Sequence, residues 1–92
     1  MEFEWDEQKN RENIRKHGLD LSDAWEIFQA PFVIDLDLRT DYGEDRWIVI
    51  GLLGNRTVVV TFALRGTQII RIISFRKASR HEHKKFEEEI GD

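Results

Sequence analysis

The sequence predicts an α+β fold, in which an antiparallel sheet of four to five strands packs against two N-terminal helices and is followed by a C-terminal helix. Three observations predict it. A short strand and two predicted helices fill the first 30 residues, several β-branched or apolar runs joined by short turns follow, and Ser79 with Glu82 forms a capping-box pattern. Two-residue connections force neighbouring strands to pair antiparallel. The predicted order of elements is βααββββα.

The N-terminal segment contains a short strand and two predicted helices. Phe3-Glu4-Trp5 alternates as a strand does, Asp6 offers an N-cap oxygen, and Gly18 ends a first helix over Glu7 to His17. A second helix begins at Leu21. Its apolar residues predict a buried face, made of Ala24, Trp25, Ile27 and Phe28.

The first helix has an unusual distribution of side chains. Asn10, Asn13 and His17 share one face, at i, i+3 and i+7, whereas the apolar stripe consists of Ile14 alone. We expect the polar face to be solvated, and the alternative is that it contacts a partner.

The strands and the last helix follow from composition and turn signals. The predicted strands are Phe32–Asp37, Arg46–Leu53, Thr57–Arg65 and Gln68–Ser74, with turns at Gly54-Asn55 and Gly66-Thr67. The last helix runs from Arg80 to about Ile90 and is expected to dock weakly, because Phe86 and Ile90 are its main apolar anchors.

Length and composition exclude several classes of protein. With 92 residues the chain is expected to form one domain over residues 1–92, and without cysteine it has neither disulfides nor a thiolate metal site. We expect no membrane span, no targeting segment and a cytoplasmic location, because the longest apolar run is far shorter than the roughly 20 residues of a spanning helix.

Charge is separated along the chain. The net charge is −4, but residues 1–45 hold thirteen acids against five Lys and Arg, whereas residues 46–92 hold nine Lys and Arg against five acids. The aromatic residues are core by default, although Phe62, Phe75 or Tyr42 could stack on an exposed base.

The strand-to-helix junction near residue 76 concentrates the positive charge. Arg71, Arg76, Lys77 and Arg80 precede or enter a helix N-terminus, which itself carries about half a positive charge. A phosphate is the anion that best fits a helix N-terminus with convergent arginines. The alternative is that these are ordinary solvated charges.

Three motifs resemble one known family. They are Phe3-Glu4-Trp5-Asp6 with Lys9, Asn10, Asn13 and Lys16-His17-Gly18; Gly43-Glu44-Asp45-Arg46-Trp47 with Ile50-Gly51; and Arg65-Gly66 with Arg71-Ile72-Ile73-Ser74-x-Arg76-Lys77-Ala78-x-Arg80-x-Glu82. In this order they resemble the BrnT toxins of bacterial toxin-antitoxin pairs, whose fold is similar to the RelE family of messenger-RNA nucleases. The resemblance covers nearly the whole chain and implies a single RelE-like toxin domain.

The resemblance implies a ribonuclease that needs no metal or other cofactor and inhibits translation. An RNA 2′-hydroxyl attacks the neighbouring phosphate, so the protein must supply positive charge, a base and an acid. The candidate catalytic residues are Arg65, Arg76, Arg80, Lys77 and His81, and the candidate RNA-binding residues are Arg71, Lys84, Lys85, Tyr42 and Arg46. Proton transfer could also fall to His83, Glu44 or Glu82, although Glu82 is expected to serve the capping box.

The resemblance also implies a protein partner. A BrnA antitoxin would silence the toxin in a two-plus-two assembly, and DNA would be bound only through the antitoxin. We expect this inhibitor to cover the basic junction, beside the last helix or at a sheet edge. The alternative function is a non-catalytic module that grips nucleic acid or an acidic peptide with the same basic face.

Overall fold

The computed structural model describes residues 1–39, 41 and 43–91. Along these residues the elements are β1 (Glu2–Glu4), α1 (Glu7–His17), a 3₁₀-helix (Leu21–Gln29), β2 (Val33–Leu36), β3 (Arg46–Leu53), β4 (Arg56–Arg65), β5 (Ile69–Lys77) and α2 (Arg80–Ile90). The predicted limits of α1, β3 and α2 are confirmed. Within the described ranges, no helix is long and apolar enough to cross a membrane.

The sheet is mixed, so the prediction of a purely antiparallel sheet was wrong. Its strand order is β1-β5-β4-β3-β2, and the pairs joined by consecutive connections, from β2 to β5, are antiparallel. In contrast, β1 lies parallel to β5, with Glu4 opposite Arg71. No tight turn joins these two strands, so tertiary packing and not a local signal fixes their direction.

The second helical segment is a 3₁₀-helix, which corrects the predicted pair of N-terminal α-helices. A 3₁₀-helix has three residues per turn, so every third side chain falls on one line. Leu21, Ala24 and Ile27 occupy that line and are its buried residues. The prediction of burial was wrong for Trp25, which is 46% exposed.

The polar face of α1 packs against the sheet, so the expectation that it is solvated was wrong. Asn13 donates to the carbonyl oxygens of Leu19 and Phe75, both at 2.8 Å, and accepts from the Phe75 amide at 3.2 Å. Asn10 is also buried and accepts a hydrogen bond from the first residue of the 3₁₀-helix at 2.8 Å. Ile14 points outward and is 41% exposed.

Asn13 completes the edge of β5. The short strand β1 pairs only with Ile69 to Arg71, at the beginning of β5. Farther along, Phe75 presents its amide and carbonyl to the Asn13 side chain, which satisfies both groups as a neighbouring strand would. The Asn13 side-chain amide therefore attaches α1 to the sheet where an aliphatic stripe would ordinarily do so.

The two faces of the sheet are covered to different extents. The main core lies under α1 and the 3₁₀-helix and contains residues of all three central strands, such as Val49, Val60 and Phe75. On the opposite face α2 covers one end, where Phe86 packs in a second cluster with residues such as Val59. The rest of that face carries Glu4, Arg46, Arg65 and Arg71, which we call the open face.

Candidate functional site

The end of β5 and the start of α2 are joined by a capping box, as the sequence predicts. The Ser79 hydroxyl accepts from the Glu82 amide at 3.1 Å, and the Glu82 carboxylate accepts from the Ser79 amide at 2.8 Å. These bonds satisfy two helix N–H groups and fix the direction in which α2 leaves the sheet. The box therefore positions every side chain of the first turn of α2.

Arg76 receives its counter-ion from within the chain. Its guanidinium forms two parallel hydrogen bonds with the Glu82 carboxylate, Nη1 to Oε1 at 2.7 Å and Nη2 to Oε2 at 2.8 Å. Hydrogen bonds from Arg76 are the main cause that lowers the pKa of Glu82 to about 2. Glu82 is consequently ionised at neutral pH, and the charge of Arg76 is offset before any ligand arrives.

Arg65 and Arg71 share a second internal carboxylate. Arg65 approaches Glu4 at 2.6 Å (Nε to Oε2) and 3.0 Å (Nη2 to Oε1), and Arg71 donates to Glu4 Oε2 at 2.9 Å. The register places Arg71 opposite Ala63, so Arg65 is its diagonal neighbour on the same face. Hydrogen bonds from Arg65 and then Arg71 lower the pKa of Glu4.

A cleft beside the start of α2 is lined by cationic residues that form no ion pair with a carboxylate among the described residues. It has a volume of about 570 Å³ and includes Arg56, Thr57, Lys77, Arg80 and His83 among its lining residues; we call it the α2 cleft. Among the described residues, no hydrogen bond or ion pair holds the side chains of Arg56, Lys77 and Arg80. The cleft therefore offers positive charge that an external anion can use.

The two histidines of α2 lie on different sides of the helix. His83 enters the α2 cleft, where its Nδ1 lies 2.7 Å from the Thr57 hydroxyl and its Nε2 lies 3.4 Å from Glu87. His81 lines a separate depression together with Lys84, Lys85 and Glu88. The geometry thus brings His83, and not the predicted His81, together with Lys77 and Arg80.

The remaining predicted RNA-binding residues are dispersed. Lys85 forms an ion pair with Asp35 at 2.8 Å, across the surface of α2 toward β2. Arg46 lies on the open face, 3.6 Å from Glu44. Tyr42 lies outside the described residues. The single basic cluster expected at the junction is therefore divided among the α2 cleft, the open face and the outer side of α2.

Comparison with known proteins identifies the family. Residues 5–82 match the family described as ribonuclease toxin, BrnT, of type II toxin-antitoxin system. The chain belongs to the BrnT family. It is also similar to the 1.1 Å crystal structure of the ribonuclease toxin BrnT from Brucella abortus, with a TM-score of 0.68 and 33% sequence identity over 87% of this chain and 99% of that chain. A search of curated proteins finds no match.

Membership of the BrnT family confirms the resemblance that the sequence motifs indicate. It implies an RNA substrate and an antitoxin partner, because the family consists of ribonuclease toxins of type II toxin-antitoxin systems. Two of the motif residues, Asn10 and Asn13, hold the fold together through buried hydrogen bonds. Their presence in the motif therefore has a structural explanation.

In this BrnT-family chain, no sequence pattern indicates a place in the site for Arg56 or Glu4. Arg56 follows a Gly-Asn turn, and its place in the α2 cleft depends on the β4–β5 pairing. Glu4 meets Arg71 only because β1 lies parallel to β5. Phe62 and Phe75, two of the candidate base-stacking residues, are buried in the core and unavailable for that role.

Proposed function

We propose that the chain cleaves RNA without a divalent metal and that the α2 cleft binds the phosphate at the cleavage site. The observation that carries this proposal is the set of cations in the cleft, Arg56, Lys77 and Arg80, which lack a carboxylate partner among the described residues. Guanidinium and ammonium groups placed around a phosphate stabilise the extra negative charge that develops when a 2′-hydroxyl attacks it.

His83 is the residue that we assign to proton transfer. Its ring is held at Nδ1 by Thr57 and faces Glu87 at Nε2, so its orientation is fixed while it remains 51% exposed. Histidine is the side chain best suited to donate and accept protons near neutral pH. In the reaction one proton leaves the attacking 2′-oxygen and another reaches the departing 5′-oxygen, and His83 serves one of these transfers.

The paired arginines support the site in different ways. Arg76 anchors the first turn of α2 through Glu82 and so positions Arg80. Arg65 and Arg71 on the open face, with Arg46, bind phosphates that flank the cleavage site. Lys84 and Lys85 lie on the outer side of α2, where they contact the RNA backbone farther away.

The cellular role is inferred from the family. We infer that the chain is a single RelE-like toxin domain that acts in the cytoplasm and inhibits translation by cleaving RNA. A BrnA antitoxin silences it in a two-plus-two assembly, in which only the antitoxin contacts DNA. Membership of a type II toxin family supports this role.

A cleavage assay with purified protein tests the catalytic proposal. Arg80→Ala is expected to lower the rate of cleavage of single-stranded or ribosome-bound RNA by about 100-fold or more. Arg80→Ala tests the cleft more directly than Arg76→Ala does, because Arg76→Ala would also leave Glu82 without its hydrogen-bond partner. Arg15→Ala, which removes an exposed arginine of α1, is the matched control and should retain full activity.

The same assay shows which of the two α2 histidines takes part in cleavage and whether the chain is a ribonuclease or a binding module. His83→Gln should lower cleavage by at least about 100-fold, whereas His81→Gln should change it by only a small factor. Excess EDTA should leave wild-type cleavage unchanged, and loss of activity in EDTA would refute the metal-free mechanism. RNA that is bound but never cleaved would identify the chain as a binding module.

A further inference from the structure

The face of the sheet that carries the 3₁₀-helix is left uncovered at one end. A groove with a volume of about 320 Å³ opens there, lined by apolar residues such as Met1, Phe28, Ile34, Trp47, Leu64 and Ile70; we call it the apolar groove. Met1, Leu64 and Ile34 are 73%, 52% and 46% exposed. Large apolar side chains gathered in one exposed depression are typical of a surface that another protein covers.

The groove is unsuited to RNA and suited to a helix. Its lining residues carry no cation for a phosphate. The strands β3 and β4 beneath it are hydrogen-bonded on both sides, so the occupant meets side chains and not free backbone groups. Phe28, near the end of the 3₁₀-helix, forms one wall, so a helix in the groove would extend the helical layer over this face.

The width of the sheet sets the length of that helix. The groove crosses from Ile70 on β5 to Ile34 on β2. Three strand spacings span about 14 Å, and a helix rises about 1.5 Å per residue, so roughly ten residues bridge the groove. Such a helix would insert apolar side chains at positions i, i+3 or i+4, and i+7.

The charge beside the groove predicts the flanks of the occupant. Trp47, near the start of β3, lines the groove, and Asp41 and Asp45 lie exposed in the chain just before it, whereas the Glu44 carboxylate lies 3.6 Å from Arg46 on the open face. A partner that lies across Trp47 therefore meets an acidic rim. Lysine or arginine beside its apolar stripe would complement that rim.

We propose that the apolar groove binds an amphipathic helix of the antitoxin, about three turns long, with an apolar stripe flanked by basic residues. This inference rests on the proposed function for the existence of the antitoxin. The groove and α2 lie on opposite faces of the sheet, so this helix anchors the antitoxin at a distance from the α2 cleft. The helix therefore places part of the antitoxin interface outside the basic junction, which is the surface that the sequence predicts the inhibitor to cover.

Binding of purified BrnA antitoxin, measured by isothermal titration calorimetry, tests the inference. Leu64→Glu and Ile34→Glu each place a charge in the groove and should weaken binding by about 100-fold or more. Ile14→Glu is the matched control, because Ile14 is a similarly exposed aliphatic residue on α1, and it should bind as the wild type does. Circular dichroism shows whether each variant is folded.

A charge reversal tests the acidic rim separately. Asp45→Lys should weaken antitoxin binding at low salt and lose most of that effect at high salt, because exposed charges are screened. An unchanged dissociation constant for Leu64→Glu and Ile34→Glu would overturn the inference, whatever the ribonuclease assay shows. The inference would also be overturned if Ile14→Glu weakened antitoxin binding as much as Leu64→Glu and Ile34→Glu do.

Further outcomes distinguish this inference from the proposed function. Leu64→Glu should cleave RNA at the wild-type rate, and a folded variant without cleavage would place the groove in the catalytic machinery and overturn the inference. If light scattering shows that Leu64→Glu separates a dimer of the isolated chain and antitoxin binding is unaffected, the occupant is a second copy. If the wild-type chain does not bind the antitoxin, the proposed partner and this inference both fail, whereas RNA cleavage can still be observed.

Discussion

Replacing Asn13 with alanine tests whether a side-chain amide holds α1 to the sheet. The substitution removes three hydrogen bonds and leaves the Leu19 carbonyl and both backbone groups of Phe75 without this partner in a buried environment. Each buried polar group left unsatisfied costs about 1–3 kcal/mol. Carbonyl oxygens recover part of this through their second lone pair, so we expect a loss of about 2–4 kcal/mol in the free energy of unfolding.

A loss of that size is large for this chain. Domains of this length are stable by about 5–15 kcal/mol, and each kcal/mol shifts the melting temperature by about 4–8 °C. Asn13→Ala should therefore melt about 10–25 °C below the wild type. Urea unfolding followed by circular dichroism gives the free energy, and thermal scans give the midpoint.

Two further variants make the Asn13 prediction specific. Ile14→Ala alters the next residue, which is 41% exposed, and should change stability by less than about 1 kcal/mol. Asn13→Asp keeps an acceptor for the Phe75 amide but places a carboxylate against two carbonyl oxygens, so at pH 7 it should be at least as unstable as Asn13→Ala. Two results would refute the reasoning: equal stability of Asn13→Ala and Ile14→Ala, or an Asn13→Asp variant that is as stable as the wild type.

Two other predictions concern the internal carboxylates. Glu82→Gln should lower stability at pH 7 by about 1–2 kcal/mol, less than the full pKa shift implies because the pair is partly exposed. The folded-state pKa of Glu82 is about 2 against an ordinary value of 4.5, so its stabilisation is complete above about pH 4.5 and lost as the pH falls toward 2. Urea unfolding at several pH values should show a smaller acid-dependent loss in Glu82→Gln than in the wild type, because the substitution removes one of the carboxylates whose pKa is lowered, and equal pH dependence would contradict it. Glu4→Gln removes the carboxylate that offsets the charge of Arg65 and Arg71, so the logarithmic salt dependence of single-stranded RNA binding should steepen by about 0.7 for each phosphate neutralised in addition to those of the wild type; an unchanged slope would show that Glu4 does not limit the phosphate contacts of these arginines.

The sequence by itself determined the helix caps and the pairing of the strands that are joined by short turns. The caps at Asp6, Gly18 and Ser79 fixed both ends of α1 and the start of α2, because each depends on residues within a few positions of one another. The short glycine turns fixed the antiparallel pairing of β3, β4 and β5 for the same reason. The three sequence motifs also predicted the family, which the comparison confirms.

The tertiary structure decided how distant charges and amides meet. Asn13 and Phe75 are 62 positions apart, and nothing local distinguishes a buried asparagine with backbone partners from a solvated one. Likewise, the parallel pairing of β1 with β5 brings Glu4 to Arg65 and Arg71, and the direction of α2 brings His83 to Thr57. A sequence pattern reports charge and periodicity, whereas the counter-ion of a given arginine depends on strand register and helix direction. For this reason the sequence indicated a basic surface, and the fold alone decided which of its cations remain available to an external anion.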